Sequence, residues 1–390
     1  MSEEKKFDHS RSENMNEDSR HDKDMRHAGD GHHGRKKTAE EIEHARHRKR
    51  FKDGHVPDAS QDTILSVRDL WVEYTSGTQL IQAVNGVSFD IKKGESLGLV
   101  GESGCGKSTI AKALLKILPE RSSRIRGEMW YKDCEMCAAS EEEMLSIRGS
   151  EISMIFQDPM TALNPVKRVI DQVSAVVRLH NPGMPKRKAE EISKNMLLEV
   201  GIGEDRVRDY PHQFSGGMQQ RVEVAIGLSC RPDLLLADEP TTALDVTIQA
   251  QVLDMMRNLM HEKNTALLLI THNLGIVAEM CDYVAVLYGG EIIEYGSRRE
   301  IFKDPCHPYT IGLFGAIPDM HSQGDRLQPI EGVMPEPSDL PDGCKFHTRC
   351  PYVQEECKSG KVPVSDLGGT HRCQCHRIDA VRAARKEAEA

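Results

Sequence analysis

The sequence predicts an α/β fold. A largely parallel core sheet is preceded by a small antiparallel sheet, interrupted by a helical lobe and followed by a small cysteine-rich module. Three observations predict this. Gly101-Glu-Ser-Gly-Cys-Gly106-Lys107-Ser108 follows the apolar run Ser96-Leu-Gly-Leu-Val100 and precedes an apolar helical pattern, which is the strand–loop–helix context of a phosphate-binding loop. Short apolar runs recur at 234–238, 266–271 and 283–287, with helical patterns between the first two; strands alternating with helices give parallel sheets covered on both faces. From about Asp304 the composition turns to Pro, Gly and Cys, which marks a separate module.

The elements follow in order. Residues 1–62 are dense in charge and hold eight of the 17 histidines. With few large apolar residues to offset the entropy of ordering, they read as a disordered tail with a helical stretch near 38–52. His32-His33 leaves a metal-scavenging role open beside that of a solvated extension. Residues 64–74 and 80–90 alternate apolar and polar, as half-buried strands do, and Lys92-Lys-Gly-Glu95 reads as a turn. Residues 107–118 read as a helix with Ile110, Ala111, Ala113, Leu114 and Leu115 on its apolar face. The stretches 169–179 and 186–200 are helical in pattern and separated by Asn181-Pro-Gly183, inside a lobe of about 160–230. Gly289-Gly290 turns the 283–287 strand into a hairpin. The expected boundaries are a main domain at 63–303, the module at 304–378 and a charged tail at 379–390.

Composition removes several classes. No apolar run approaches the ~18–20 residues that span a bilayer, and Met-Ser-Glu-Glu-Lys-Lys lacks an apolar leader core, so the expectation is a cytosolic chain that reaches membranes through partners. A net charge of −10 argues against general nucleic-acid binding, which needs a basic face. Five of the 11 cysteines lie between Cys344 and Cys375; in a cytosolic chain that clustering points to a metal site before disulfides.

The chemistry centres on the glycine loop. Gly101, Gly104 and Gly106 let the backbone wrap an anion, with Ser103 and Cys105 between them and Thr109 in the first helical turn. Inward amides and the positive end of the following helix suit phosphate. Lys107 should reach the β- and γ-phosphates of ATP, and Ser108 should hold Mg²⁺. Asp238 ends a buried apolar run, which puts its carboxylate at the ligand-binding edge of the sheet as a second Mg²⁺ support. Glu239, one residue on, is the candidate general base for the attacking water.

Four further stretches carry a resemblance to the ATP-binding subunits of ABC transporters. Ile155-Phe-Gln157-Asp-Pro159 resembles the Q-loop, and Phe214-Ser215-Gly216-Gly217-Met218-Gln219 resembles the signature motif. Thr242-Ala-Leu-Asp245 resembles the D-loop, and His272 after Thr271 the switch histidine. The resemblance implies that Gln157 contacts Mg²⁺ or water while sensing the membrane partner, that His272 touches the γ-phosphate, and that Tyr74 stacks on adenine. It implies that Ser215, Gly216, Gly217, Gln219 and Asp245 complete the ATP site of a second subunit, head to tail. That second subunit is expected to be a related ATPase, with an identical copy as the alternative.

His307-Pro308-Tyr309-Thr310, Gly343-Cys-Lys-Phe-His-Thr-Arg-Cys-Pro351 and residues 154–165 resemble the oligopeptide and dipeptide importer branch, over about 64–377. Cys344, Cys350 and Cys357 are separated by five and six residues, and Cys375 follows after 17. Four thiolates so spaced suit a [4Fe–4S] cluster or Zn²⁺; the resemblance favours Fe–S and, through Cys375-His376, selects Cys375 over Cys373. His347, His371 and His376 keep zinc open, and no metal at all is the third alternative. The implied function is ATP hydrolysis driving peptide uptake at the cytoplasmic face of the membrane. It involves two permeases and, indirectly, an extracytoplasmic solute-binding protein. The same machine importing nickel or a metal chelate is the alternative, followed by a soluble ABC ATPase in DNA repair or translation and by a metal sensor.

Overall fold

A computed structural model describes residues 62–241, 244–316 and 330–389. The expected N-terminal tail, and Thr242 and Ala243 of the D-loop stretch, lie outside the described residues.

The chain opens with two long strands, β1 (Thr63–Ser76) and β2 (Gln79–Lys92), and then β3 (Ser96–Val100) leads into helix α1 (Lys107–Leu114). Next come β4 (Ser123–Tyr131), β5 (Cys134–Glu135), α2 (Glu141–Ile147) and β6 (Ile152–Ile155). β2, β1, β4 and β5 form a four-stranded sheet, antiparallel throughout. The inward residues of β1, Leu65, Val67, Leu70 and Val72, are fully buried.

The second sheet has eight strands. β7 (Leu234–Asp238), β8 (Ala266–Thr271) and β9 (Tyr283–Tyr288) join β6 and β3 in the order β6-β7-β8-β3-β9, all parallel. Its strands read as unbroken apolar runs because both faces are covered. Leu97, Leu99, Leu236, Leu268 and Ile270 face the antiparallel sheet and α1. Leu235, Leu267 and Leu269 face helices on the other side. Those helices include α4 (Val169–His180), α5 (Lys186–Glu199) and α6 (Gly216–Leu228) of the lobe, which follow the short α3 (Pro159–Ala162), and α7 (Val246–Lys263).

One expectation is corrected. Helix α1 stops at Leu114 instead of running to 118. Lys116 adopts a left-handed φ of 48°, and its ammonium donates to the carbonyls of Cys137 (3.1 Å) and Ala139 (2.8 Å), so a tertiary contact ends the helix where the apolar pattern would continue it. Strands from the C-terminal segment continue the core sheet. After α8 (Leu274–Met280), strand β10 (Glu291–Ser297) pairs antiparallel with β9, and the late strands β11 (Val364–Asp366) and β12 (Arg372–Gln374) extend the same sheet, with Glu294 opposite Cys373. Beyond α9 (Arg298–Lys303), α10 (Pro308–Gly315) brings Tyr309 edge-on to Tyr288, with ring centres 4.6 Å apart. Phe346 closes the trio at 5.1 and 5.4 Å, the geometry in which aromatic quadrupoles attract. Helix α11 (Ile378–Glu389) ends the described chain.

Candidate active site

The glycine loop sits between two buried elements. Gly106 takes φ 103° at the start of α1, and a β-carbon there would lie 2.2 Å from the carbonyl oxygen of Ala83, so only glycine fits. No side chain caps α1, which leaves its first amides free for an anion. Cys105 is buried, whereas Ser103 and Gly104 are exposed at the lip. Lys107 is buried, and its ammonium donates to the carbonyls of Gly101 (2.8 Å) and Glu102 (2.9 Å).

Two carboxylates, Asp238 and Glu239, stand in succession at the end of β7, and the first meets this loop. Ser108 Oγ donates to Asp238 Oδ1 at 2.9 Å. Burial pushes the Asp238 carboxyl above its ordinary value; the Ser108 hydrogen bond opposes this and the Glu239 charge adds to it. A cation between Ser108 and Asp238 would relieve that cost. Glu239 departs from the strand line with φ 47°, its N–H donating to Ile270 O at 2.8 Å. A non-glycine residue held in this conformation is strained and clusters at functional sites. The turn aims its carboxylate at two other predicted residues: Gln157 Nε2 donates to Oε2 at 3.1 Å, and His272 Nδ1 lies 2.9 Å from Oε1. Tyr74 meets the first turn of α1, its hydroxyl donating to Thr109 Oγ1 at 3.4 Å.

The signature residues lie on a different element. Ser215 is the residue before α6, its hydroxyl makes no cap bond, and both it and Gly216 are exposed. A β-carbon on Gly217 would come within 2.4 Å of Ile248 Cγ2, so this loop packs on the start of α7, where exposed Asp245 is the N-cap. The Gln219 amide donates to Pro211 O (2.9 Å) and Phe214 O (3.3 Å), which braces the loop from within.

The four predicted thiols converge. Burial pushes Cys344, Cys350 and Cys375 each up to about 11, and all four thiols, Cys357 included, are close enough that every pair adds to the effect. Cys344 N donates to Cys357 O at 2.9 Å, and Arg377 N donates to Cys375 Sγ at 3.2 Å. Cys373 packs with Cys306, Glu294 and Cys375 in a buried group that adjoins the four thiols. There Glu294 accepts from Cys306 N (2.7 Å), His307 N (3.0 Å) and His371 Nε2 (2.8 Å). Glu294, Cys306 and His371 have metal-compatible spacing, but the carboxylate is already satisfied without an ion.

Two family models match this chain. The one described as "ABC transporter" covers residues 84–242, and the one described as "Oligopeptide/dipeptide transporter, C-terminal region" covers 293–357. The Dipeptide transport ATP-binding protein DppD of Bacillus subtilis is 47% identical over 299 residues, which is 76% of this chain and 89% of that one. The chain belongs to the ABC transporter ATP-binding subunits of the oligopeptide/dipeptide type. The Oligopeptide transport ATP-binding protein OppD of Escherichia coli is likewise 47% identical, over 78% of this chain and 91% of its own length. Among solved structures, the dimeric post-hydrolysis ATP-binding cassette MJ0796 bound to ADP and Pi is similar at TM-score 0.55 and 25% identity, over 60% of this chain and 99% of that one.

One residue of this ABC subunit escaped the sequence reading. Glu223 lies buried in α6 and accepts from Phe156 N at 2.8 Å, beside the Q-loop glutamine. Burial pushes its carboxyl up to about 7. It ties the signature helix to the Q-loop; a lone Glu inside a helical pattern carries no sequence signal that separates it from a solvated one.

Proposed function

We propose that this chain is the ATP-hydrolysing subunit of an importer of di- and oligopeptides. The observation that carries the reading is Glu239 held between Gln157 and His272, one residue beyond the Ser108–Asp238 pair. Lys107 and the open amides of α1 take the β- and γ-phosphates, and Tyr74 stacks on adenine. Ser108 and Asp238 hold Mg²⁺, which neutralises charge building on the phosphate oxygens when bound. Glu239 accepts a proton from water as the water oxygen bonds to the γ-phosphorus; the bridging bond breaks and its electron pair leaves with ADP. Gln157 orients that water, and His272 holds Glu239 and meets the γ-phosphate.

Exposed Ser215 and Gly216 serve the site of a partner ATPase, a related chain or a second copy, in a head-to-tail dimer. Exposed Phe156, Val166 and Leu179 on the Q-loop and lobe suit the permease contact. No helix among the described residues is long and apolar enough to cross a membrane, so the reading is peripheral attachment at the cytoplasmic face. The names of DppD and OppD support peptide as cargo, delivered by a solute-binding protein.

Cys344, Cys350, Cys357 and Cys375 would hold a [4Fe–4S] cluster, which four thiolates suit; four thiolates also suit Zn²⁺, and His371 is committed to Glu294. When bound, the cluster supplies a cross-link; ATP hydrolysis needs no redox step.

The test is mild-detergent purification from native membranes with mass spectrometry of the co-purifying chains. Two polytopic permeases, a second ATPase and a peptide-loaded binding protein are expected. A nickel-loaded binding protein would replace the cargo. Recovery from the soluble fraction alone would overturn the transporter reading.

A further inference from the structure

We propose that Arg349, carried by the C-terminal segment, is a positioning residue for the phosphate loop. Its partner Glu102 lies 247 residues away in sequence, at the second position of the loop. Arg349 Nη1 donates to Glu102 Oε2 at 2.9 Å and Nη2 donates to Oε1 at 3.2 Å, a bidentate fork. The remaining donors are used as well. Nη1 reaches Tyr288 Oη (3.3 Å), Nη2 reaches Ile330 O (3.2 Å) and Nε reaches Glu331 O (2.9 Å). The side chain is only 5% exposed, with its guanidinium 5.9 Å from the ring centres of both Tyr288 and Phe346. A fork this fully bonded has little freedom left to lose.

Glu102 is gripped at three points. Its carboxylate is held by Arg349, its backbone N–H donates to Tyr309 Oη at 2.9 Å, and its carbonyl accepts from Lys107 at 2.9 Å. Two of the three grips come from beyond residue 303. The grip fixes the first turn of the loop, and so the start of the path from which Lys107 reaches phosphate. It also neutralises a carboxylate that would otherwise face the anion at short range. A loop preset in this way binds without first meeting the cost of ordering.

The proposal rests on assigning Gly101–Ser108 to the nucleotide phosphates, and its test separates the two. Full-length wild type, Arg349→Ala, Arg349→Lys, Arg349→Ala/Glu102→Gln and Lys107→Ala are compared. The readouts are the Kd of a fluorescent ATP analogue with Mg²⁺, kcat and KM for ATP, and the thermal midpoint without nucleotide. Arg349→Ala should raise Kd and KM roughly tenfold while kcat stays within about threefold. Arg349→Lys restores the charge without the fork and should fall between. The double variant should bind no more weakly than Arg349→Ala, because the pair acts as one unit. A lowered thermal midpoint with Kd and KM within about twofold of wild type would overturn the proposal and leave Arg349 a packing residue. If Arg349→Ala does not fold, Arg349→Lys decides by the same criterion. Undiminished binding by Lys107→Ala would remove the phosphate-loop assignment, and the proposal with it.

Discussion

The phosphate loop and the four-thiol segment are both short on regular structure, but they are held differently. Residues 101–108 hang between β3 and α1, whose inward side chains are fully buried. The loop's shape is set by glycine conformations, by Lys107 folding back on Gly101 and Glu102, and by the grip on Glu102. Residues 343–357 run through turns with one short 3₁₀ segment. Their ends are tied by the Cys344–Cys357 backbone bond, Phe346 anchors them on the core, and three of the four clustered thiols lie among them. The first site is preformed by the fold. The second is anchored on the core by Phe346 and Arg349, and a metal bound by its thiols would add to that hold, as in small metal-held modules.

The largest effect that would break this contrast is at Lys107. Lys107→Ala should lower phosphate release at least about 100-fold and lower the nucleotide-free thermal midpoint only slightly, because the glycine conformations and the Arg349 and Tyr309 contacts to Glu102 remain. A large fall in that midpoint would mean the loop depends on its lysine for shape as well as for binding. Glu239→Gln should slow turnover by about 10²–10³-fold and keep ATP binding, with a closed dimer building up on size-exclusion chromatography. Wild-type turnover would take Glu239 out of the base role.

On the other side, Cys350→Ser should strip iron and acid-labile sulfide from anaerobically purified protein and lower the thermal midpoint by about 5 °C. A colourless, iron-free wild type of normal stability would show that the segment holds itself. The smallest effect belongs to Glu223. Its carboxyl ionises near 4.5 when unfolded and at about 7 in the fold, so the unfolded chain sheds its proton first. Its contribution to stability is therefore full below about pH 4.5 and lost as pH rises through about 7. Glu223→Gln should flatten that decline in denaturant titrations; an unchanged pH profile would remove the buried-acid assignment.

What was legible in the sequence follows the same divide. β3, β7, β8 and β9 announced themselves as apolar runs, since each packs on both faces, and the glycine loop, Asp238 and Glu239 came with their strand contexts. The meeting of Glu239 with Gln157 and His272 is a local consequence of strand order and could be anticipated from motifs. The end of α1 could not, because Lys116 answers to carbonyls in a later loop. Gln219 stood in a recognisable motif while its amide serves its own loop. Glu102–Arg349 was invisible for a plain reason: neither residue type nor spacing reports a partner so far along the chain.

The pairing of β12 with β10 has a consequence for the cell. A chain stopped before residue 372 would leave the outer edge of β10 unpaired, and one stopped before 309 would also uncover Tyr288. Open strand edges and bared aromatic rings invite aggregation. Such a product would be cleared by proteases as a misfolded chain before it could work as a smaller ATPase. Nonsense mutations upstream of codon 372 should therefore behave as complete losses.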